Sequence, residues 1–480
     1  MKIKLNKQQL TDKILGCWIG KNIGGTMGGP YERVQEMLDI NGYSTPKGEP
    51  LPNDDLDLQL VWLKAMEKVG PYTMSAGILG EYWQTYVTPH WNEYGVGKSN
   101  MTRGLMPPLC GEFCNDYWKY SNGAWIRSEV WACMAPGFPN IAIKYAIMDA
   151  CIDHGLSEGT YAEIFTTALQ SIAFVETDIR AVVEKALSYI NPDCRVAQCV
   201  KLVLEEYDKQ TPYREVREML VEMTADLGWF QAPANLGFTV IGLIYGEGDF
   251  KKSMIYAINC GDDTDCTAAT CGAVMGIMQG AEKIPTDWKE YIGDRIITIS
   301  INGSYKYEMP KTCTELTDRV MQMIPIVLKA HDVYMEYTDA DNEYEKETAF
   351  QVLDGYSLEY MKRSPYSFEV QSGYFWDSVI EYEEEPVVAS GEEFKIKITF
   401  NNRISQPFHV DVEVLLPEGW SADYRRSVFL DCKAQNRIPV NVYEMTITPG
   451  DKIMPKNTVI IHVKSPLSPM PMLIPITLLG

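Results

Sequence analysis

Apolar residues recur three or four positions apart through the first two thirds of the chain. The segments 142–152, 161–174, 179–189, 213–227 and 252–258 each carry this spacing, which predicts a succession of helices. Gly155, Pro192, Pro212, the pair Ala232-Pro233 and the glycine-bearing stretch 246–248 separate them. Near residue 340 the pattern changes. DADNEYEKETAF is a charged stretch suited to a boundary, and beyond about residue 365 the runs FKIKITF, FHVDVEVLL, IPVNVYEMTI and TVIIHVK alternate apolar and polar residues with period two. The pattern predicts a multidomain chain: an all-α domain over 1–345, a linker over 346–364, and an all-β antiparallel sandwich of about 110 residues over 365–480.

Against that background two acidic clusters stand out, each placed directly before an apolar helix. One is LPNDD at 51–55, followed by LDLQLVWLKAMEKVG; the other is GDDTDCT at 261–267, followed by AATCGAVMGIMQGA. A helix N-terminus accepts one capping Asp or Asn and favours nearby negative charge. Each cluster holds more carboxylates than a cap uses, and carboxylates crowded into a partly dry place require a cation. Oxygen-rich donors of this kind point to a hard cation, Mg²⁺ first, with Mn²⁺ or Ca²⁺ as alternatives. The second helix is rich in small residues (Ala268, Ala269, Gly272, Ala273, Gly276), which suits it to the centre of a bundle.

Two further segments draw attention. Gly24-Gly25-Thr26-Met27-Gly28-Gly29-Pro30-Tyr31-Glu32 is dense in glycine, as a phosphate cradle is, but fits neither GxGxxG nor GxxxxGK[ST], and a turn between helices explains it equally well. Glu32 directly after it is a candidate general base or a first-turn helix acid. The second segment, 121–131, reads SNGAWIRSEVW and gathers Asn, Arg, Glu and two Trp; for any single Trp the core is the first expectation.

Composition narrows the function classes. The 480 residues hold 43 Lys plus Arg against 65 Asp plus Glu, a net charge of -22, which argues against nucleic acid or an anionic membrane as a partner, since both need a basic face. There is no apolar run of about 18 residues, and the N-terminus lacks a secretory pattern, so the expectation is a cytoplasmic enzyme with reduced cysteines. Cys110 and Cys114 have no second pair to complete a zinc set, and five histidines without HExxH argue against a nitrogen-ligated metal.

Taken in order, the segments resemble the ADP-ribosylglycohydrolase family, also described as the dinitrogenase-reductase-activating-glycohydrolase type. The resemblance runs over roughly residues 8 to 335 and rests on Gly16, Gly20 and Gly24 with PYE at 30–32, NDD at 53–55, NGAWIRS at 122–128, Asp149 and His154 in DACIDHG, and the GDDTDCTAATCGAVMG stretch. It implies an all-α bundle with one or two Mg²⁺ ions that hydrolyses a glycosidic bond at the anomeric carbon of ribose. Carried onto this chain, it implies Asn53, Asp54, Asp55, Asp263, Asp265 and Cys266 as the metal set. Glu32 and Asp54 would carry the chemistry, and Gly28, Asn122, Trp125, Arg127 and His154 would contact substrate.

The departures are specific. Asn53 replaces a Thr, Asp262 a Gly and Cys266 a final Thr; a thiol is a poor Mg²⁺ ligand. Glu129 stands where the family has a small residue or proline, and is either a second acid/base carboxylate, an acceptor for a substrate hydroxyl, or an ion-pair partner of Arg127. The C-terminal pattern resembles immunoglobulin-like modules attached to glycosidases; packing or dimerisation explains it as well as sugar binding does, and a homo-oligomer is compatible with it. The leading expectation is a metal-dependent hydrolase of a small furanosyl glycoside. The alternatives are an ADP-ribosyl hydrolase acting on modified protein or ADP-ribose derivatives, and a non-catalytic sugar- or nucleotide-binding relative.

Overall fold

A computed structural model describes residues 1–371, 376–432 and 441–480. The first helix, Lys7–Gly28, starts where the Asn6 side chain accepts a hydrogen bond from Gln9 N. It packs along the helix Thr264–Gln279 at backbone distance. Gly16, Gly20, Gly24 and Gly28 recur every fourth residue and so share one face. A Cβ added at these positions would lie 2.3, 2.0, 2.3 and 2.3 Å from the carbonyl oxygens of Gly276, Gly272, Ala268 and Thr264. The glycine-dense stretch is therefore neither a phosphate-cradling loop nor a turn. Residues 24–28 are the last part of a helix whose backbone N–H groups are engaged in it, and their missing side chains let a second helix approach.

The predicted helices form with shifted ends: Pro139–Ala150, Glu158–Ala173, Ile179–Leu187, Tyr213–Met223 and Phe250–Asn259. Ala232-Pro233 opens a helix, Ala232–Tyr245, with the proline in the first turn, where its missing N–H has no partner to lose. The stretch 346–364 carries two short helices, Lys346–Phe350 and Tyr356–Tyr360, and Ala349, Phe350 and Tyr360 join the helical core. No helix among the described residues is long and apolar enough to cross a membrane. The cysteines are free, and all but Cys114 and Cys432 are buried.

The C-terminal strands make two antiparallel sheets. One has five strands and contains Phe394–Asn402 between Trp376–Tyr382 and Asn441–Thr448; the other has four and contains Asn457–Lys464 between Met472–Leu478 and Phe408–Leu415. Period-two alternation is obeyed: Phe394, Ile396, Ile398 and Phe400 are buried while Lys395 and Lys397 are exposed. Their core continues into the helical part through Leu105, Leu109, Cys110 and Phe113. Ile438, Pro439 and Val440 of the IPVNVYEMTI run, and 372–375 within the earlier alternating pattern, lie outside the described residues.

Candidate active site

The two acidic clusters occupy the N-termini of two helices, and the end of the first helix joins them. Asn53 caps Asp54–Val69, its Oδ1 accepting from Asp55 N at 2.7 Å. Gly25 makes room for that cap, since a Cβ there would lie 1.7 Å from Asn53 Nδ2. On the other side, Thr264 Oγ1 donates to the Gly28 carbonyl at 2.9 Å and fixes the start of Thr264–Gln279, with Asp263 before it and Asp265 in its first turn. Ligand atoms of Asp55, Asp265 and Cys266 thereby come within 4.8 Å of one another.

A cavity of about 460 Å³ opens over this cluster. Its wall carries the carboxylates of Glu32, Asp54, Glu93, Asp263 and Asp265, the amide of Asn122, and the rings of Trp91, Tyr94 and Phe230. Arg33 is the wall's one basic side chain among the described residues; it is 74% exposed, with Nε 3.5 Å from Glu32 Oε1. Asp262 occupies a left-handed turn (φ 66°), and its Oδ1 accepts from Phe230 N at 2.9 Å, which draws that ring's backbone to the rim.

The carboxylates are crowded and dry. Burial pushes Asp55 and Asp263 well above the usual carboxylate range, with Lys21 opposing the shift at Asp55 and Asp265 adding to it at Asp263. Asp265 is pushed up to about 7, by burial first and then by Glu32 and Asp54. Burial also raises Asp54, although the Tyr94 hydroxyl donates to it at 3.2 Å, and raises Glu32. Asp55 Oδ2, Asp263 Oδ1 and Asp265 Oδ1 are buried without hydrogen-bond partners. Such atoms are costly unless a cation meets them, and an all-oxygen set fits a hard divalent ion. Cys266 sits beside them, but burial and then the carboxylates around it push its thiol well above its ordinary range. Its Sγ lies 3.3 Å from Asp55 Oδ1 in hydrogen-bond contact, in the place the family resemblance implies for a ligand.

Several residues expected at the substrate lie behind the wall. Asn122 reaches it, its Nδ2 donating to Asp263 Oδ2 at 2.6 Å, and Trp125 Nε1 holds Asn122 Oδ1 at 3.0 Å from full burial. Arg127 is fully buried: Nε meets Asp149 Oδ1 at 2.8 Å, NH2 meets Asp153 Oδ1 at 2.8 Å, and the guanidinium lies 4.4 Å from the Trp83 ring. His154 Nδ1 is 2.8 Å from Asp153 Oδ1 and Nε2 is 3.1 Å from Ser121 Oγ. Burial raises Asp153, but Arg127 and His154 outweigh it and hold the carboxyl down at about 2. Gly28 faces a helix rather than the cavity. Glu129 is also off the wall, and its ion-pair partner is Lys21 at 3.0 Å, not Arg127. Gln59 and Gln170 each donate to it at 2.8 Å.

Three residues were not anticipated from the sequence. Lys21 is a fully buried cation, signalled only by being charged inside GCWIGKNIGG. Asp57 accepts from Ile299 N at 2.6 Å and Ser300 N at 2.8 Å, which pins those residues into the wall; its signal was the third carboxylate in DDLD. Glu93 had no local signal beyond a first-turn acid.

A helical domain, with one two-stranded parallel sheet of Lys2–Asn6 and Tyr334–Thr338, in which two acidic helix starts converge beneath one cleft defines a helical protein with an acidic active-site-like centre. Residues 6–324 match the family described as ADP-ribosylglycohydrolase, and the chain belongs to that family, a family of hydrolases. It is similar to a solved structure described as "ADP-ribosylglycohydrolase-related protein complex", with 17% identity and a TM-score of 0.45 over 66% of this chain and 99% of that one. No curated protein matches it.

Proposed function

We propose that the chain is a divalent-cation-dependent hydrolase that cleaves the glycosidic bond of a ribosyl-type furanoside, with Mg²⁺ as the first candidate ion. The observation that carries this reading is the set of three buried, unpartnered carboxylate oxygens, on Asp55, Asp263 and Asp265, contributed by two distant stretches of chain beneath one cavity. Asp54, Asp55, Asp263 and Asp265 would hold one or two ions. When bound, the ion supplies a site that orients sugar hydroxyls and polarises water. Glu32, partly buried at the rim and raised by that burial, holds and returns a proton at its carboxyl. Asn122 presents its amide from a support built by Trp125, with Arg127 donating to the Gly123 carbonyl and His154 holding the Ser121 hydroxyl on either side of it. Glu129 and Lys21 brace the floor.

The substrate is a small furanoside or nucleoside-like compound. Supporting this, the wall offers one exposed basic side chain, and the N–H groups of residues 24–28 belong to a helix rather than a phosphate cradle. Family membership favours a second reading, an ADP-ribosyl bond in modified protein or an ADP-ribose derivative. Product masses decide between them. The purified chain with Mg²⁺ is given ADP-ribosylated peptide, ADP-ribose conjugates, nucleosides and pentofuranosides, with Asp54→Ala as control. Free sugar from a simple furanoside supports the lead, release of ADP-ribose supports the second reading, and no product from any of them sinks both in favour of a binding protein.

A further inference from the structure

Glu93 is the wall carboxylate that none of the cation chemistry uses. It enters from Asn92–Arg103, a helix outside both acidic clusters, through a turn in which Asn92 takes φ 48°, in the left-handed region that Asn tolerates. The residue is 2% exposed, and Oε2 is buried with no hydrogen-bond partner. A first-turn acid serving only the helix dipole sits in water, where its charge is solvated. This one is dry, and the rest of the fold makes space for it. Gly123 leaves room for the carboxyl, since a Cβ there would lie 2.2 Å from Glu93 Oε1. Tyr94, next to Glu93 in the chain, donates to Asp54, and Asn122, next to Gly123, donates to Asp263, so the carboxyl lies beside two residues whose neighbours touch the acidic cluster. A buried acceptor left unpaired is destabilising until a donor arrives. Ser121 hydrogen-bonds the carboxyl but leaves Oε2 unmet, and the wall's one cation among the described residues, Arg33, is exposed and paired with Glu32.

We propose that Glu93 is a substrate-binding, specificity-determining residue that accepts hydrogen bonds from donor groups of the bound sugar, hydroxyl or amine. This rests on the ribosyl-hydrolase reading above. It makes the cavity selective for a sugar that presents O–H or N–H at this wall.

The test is calorimetric binding to the full-length protein in Mg²⁺, with two probes that separate the donor sources: 1,4-anhydro-D-ribitol, which offers hydroxyls alone, and 1,4-dideoxy-1,4-imino-D-ribitol, which adds a ring ammonium. Glu93→Gln and Glu93→Ala are expected to weaken binding by about 10- to 100-fold, the loss of a charged acceptor. Loss with both probes assigns the donor to the hydroxyls; loss with the imino sugar alone assigns it to the amine. Without ligand, Glu93→Gln is expected to melt no lower than wild type, because burial already pushes this carboxyl up to about 7 and the amide carries no charge to desolvate. Wild-type affinity in both variants, or a Glu93→Gln protein that melts well below wild type, overturns the proposal while a binding loss in Asp54→Ala leaves the functional reading intact. Failure of the wild type to bind either probe counts against that reading and the proposal together.

Discussion

Gly24→Ala tests the helix crossing on which the site is built. In an ordinary helix interior the substitution stabilises by about 0.5–1 kcal/mol, since glycine loses more backbone freedom on folding than alanine. Here the new methyl would sit 2.3 Å from Ala268 O and 2.4 Å from Ala268 C and Ala269 N. Ordinary contact is roughly 3.5 Å, so the two helices would have to part by about 1 Å. The obstacle is backbone and cannot swing aside as a side chain would. Overpacking of this kind costs about 1–3 kcal/mol, so the net sign reverses, with a net loss of about 1 kcal/mol and a fall in Tm of about 2 °C for the helical domain. Because Asp265 lies one turn from Ala268 on the displaced helix, Mg²⁺ affinity should fall as well. Gly77→Ala is the control: its Cβ would meet only the flexible Met106 Cε at 3.0 Å and Ser75 Oγ at 3.8 Å. Thermal melting of both variants, with and without Mg²⁺, reads the outcome. A Gly24→Ala protein that melts at or above wild type would refute the backbone-contact packing.

Other expectations follow from the buried charges. Asp265, raised from 3.8 to about 7 in the fold, contributes stability that is fully present below the unfolded value and lost as pH rises to the folded one; metal-free protein should melt at falling temperature between about pH 4 and 7, and Mg²⁺ should remove the fall. A Tm that rises across this window in chelator would contradict the protonated cluster. Lys21→Ala strands the fully buried Glu129 and should lose about 3–5 kcal/mol in chemical denaturation, while the double variant Lys21→Met/Glu129→Gln loses less. A double variant that loses as much as Lys21→Ala or more would mean that the pair is not coupled. Cys266→Thr exchanges a soft thiol for an oxygen donor and should tighten Mg²⁺ about tenfold; unchanged affinity in a titration would place that side chain outside the ion's reach.

The sequence pattern carried the elements better than it carried their partners. Period-two alternation in FKIKITF matches the buried and exposed positions of its strand, because one sheet face packs on the core and the other meets water. The acidic clusters were legible as excess charge at helix starts. The glycines at 16, 20, 24 and 28 were not read as a crossing, because their density resembles a loop, whereas their four-residue repeat is the informative feature. Arg127, offered by the sequence as an ion-pair partner in one of three readings of Glu129, is not its partner, because the pairing is tertiary: Lys21 arrives from the first helix and Arg127 turns to Asp149 and Asp153. Glu93 was invisible for the same reason, since nothing around it in sequence tells that Gly123 makes space for it. Short helices at 346–350 and 356–360 went unread because each is little more than one turn.

The central claim is that the converging helix starts form a divalent-cation centre. The most direct measurement is a calorimetric titration of Mg²⁺ into chelator-treated full-length protein, beside Asp55→Asn and Asp265→Asn. The account predicts saturable binding to wild type at one or two sites and its loss in both variants, each of which should still fold. Absence of binding to wild type, or equal binding in all three proteins, would contradict it.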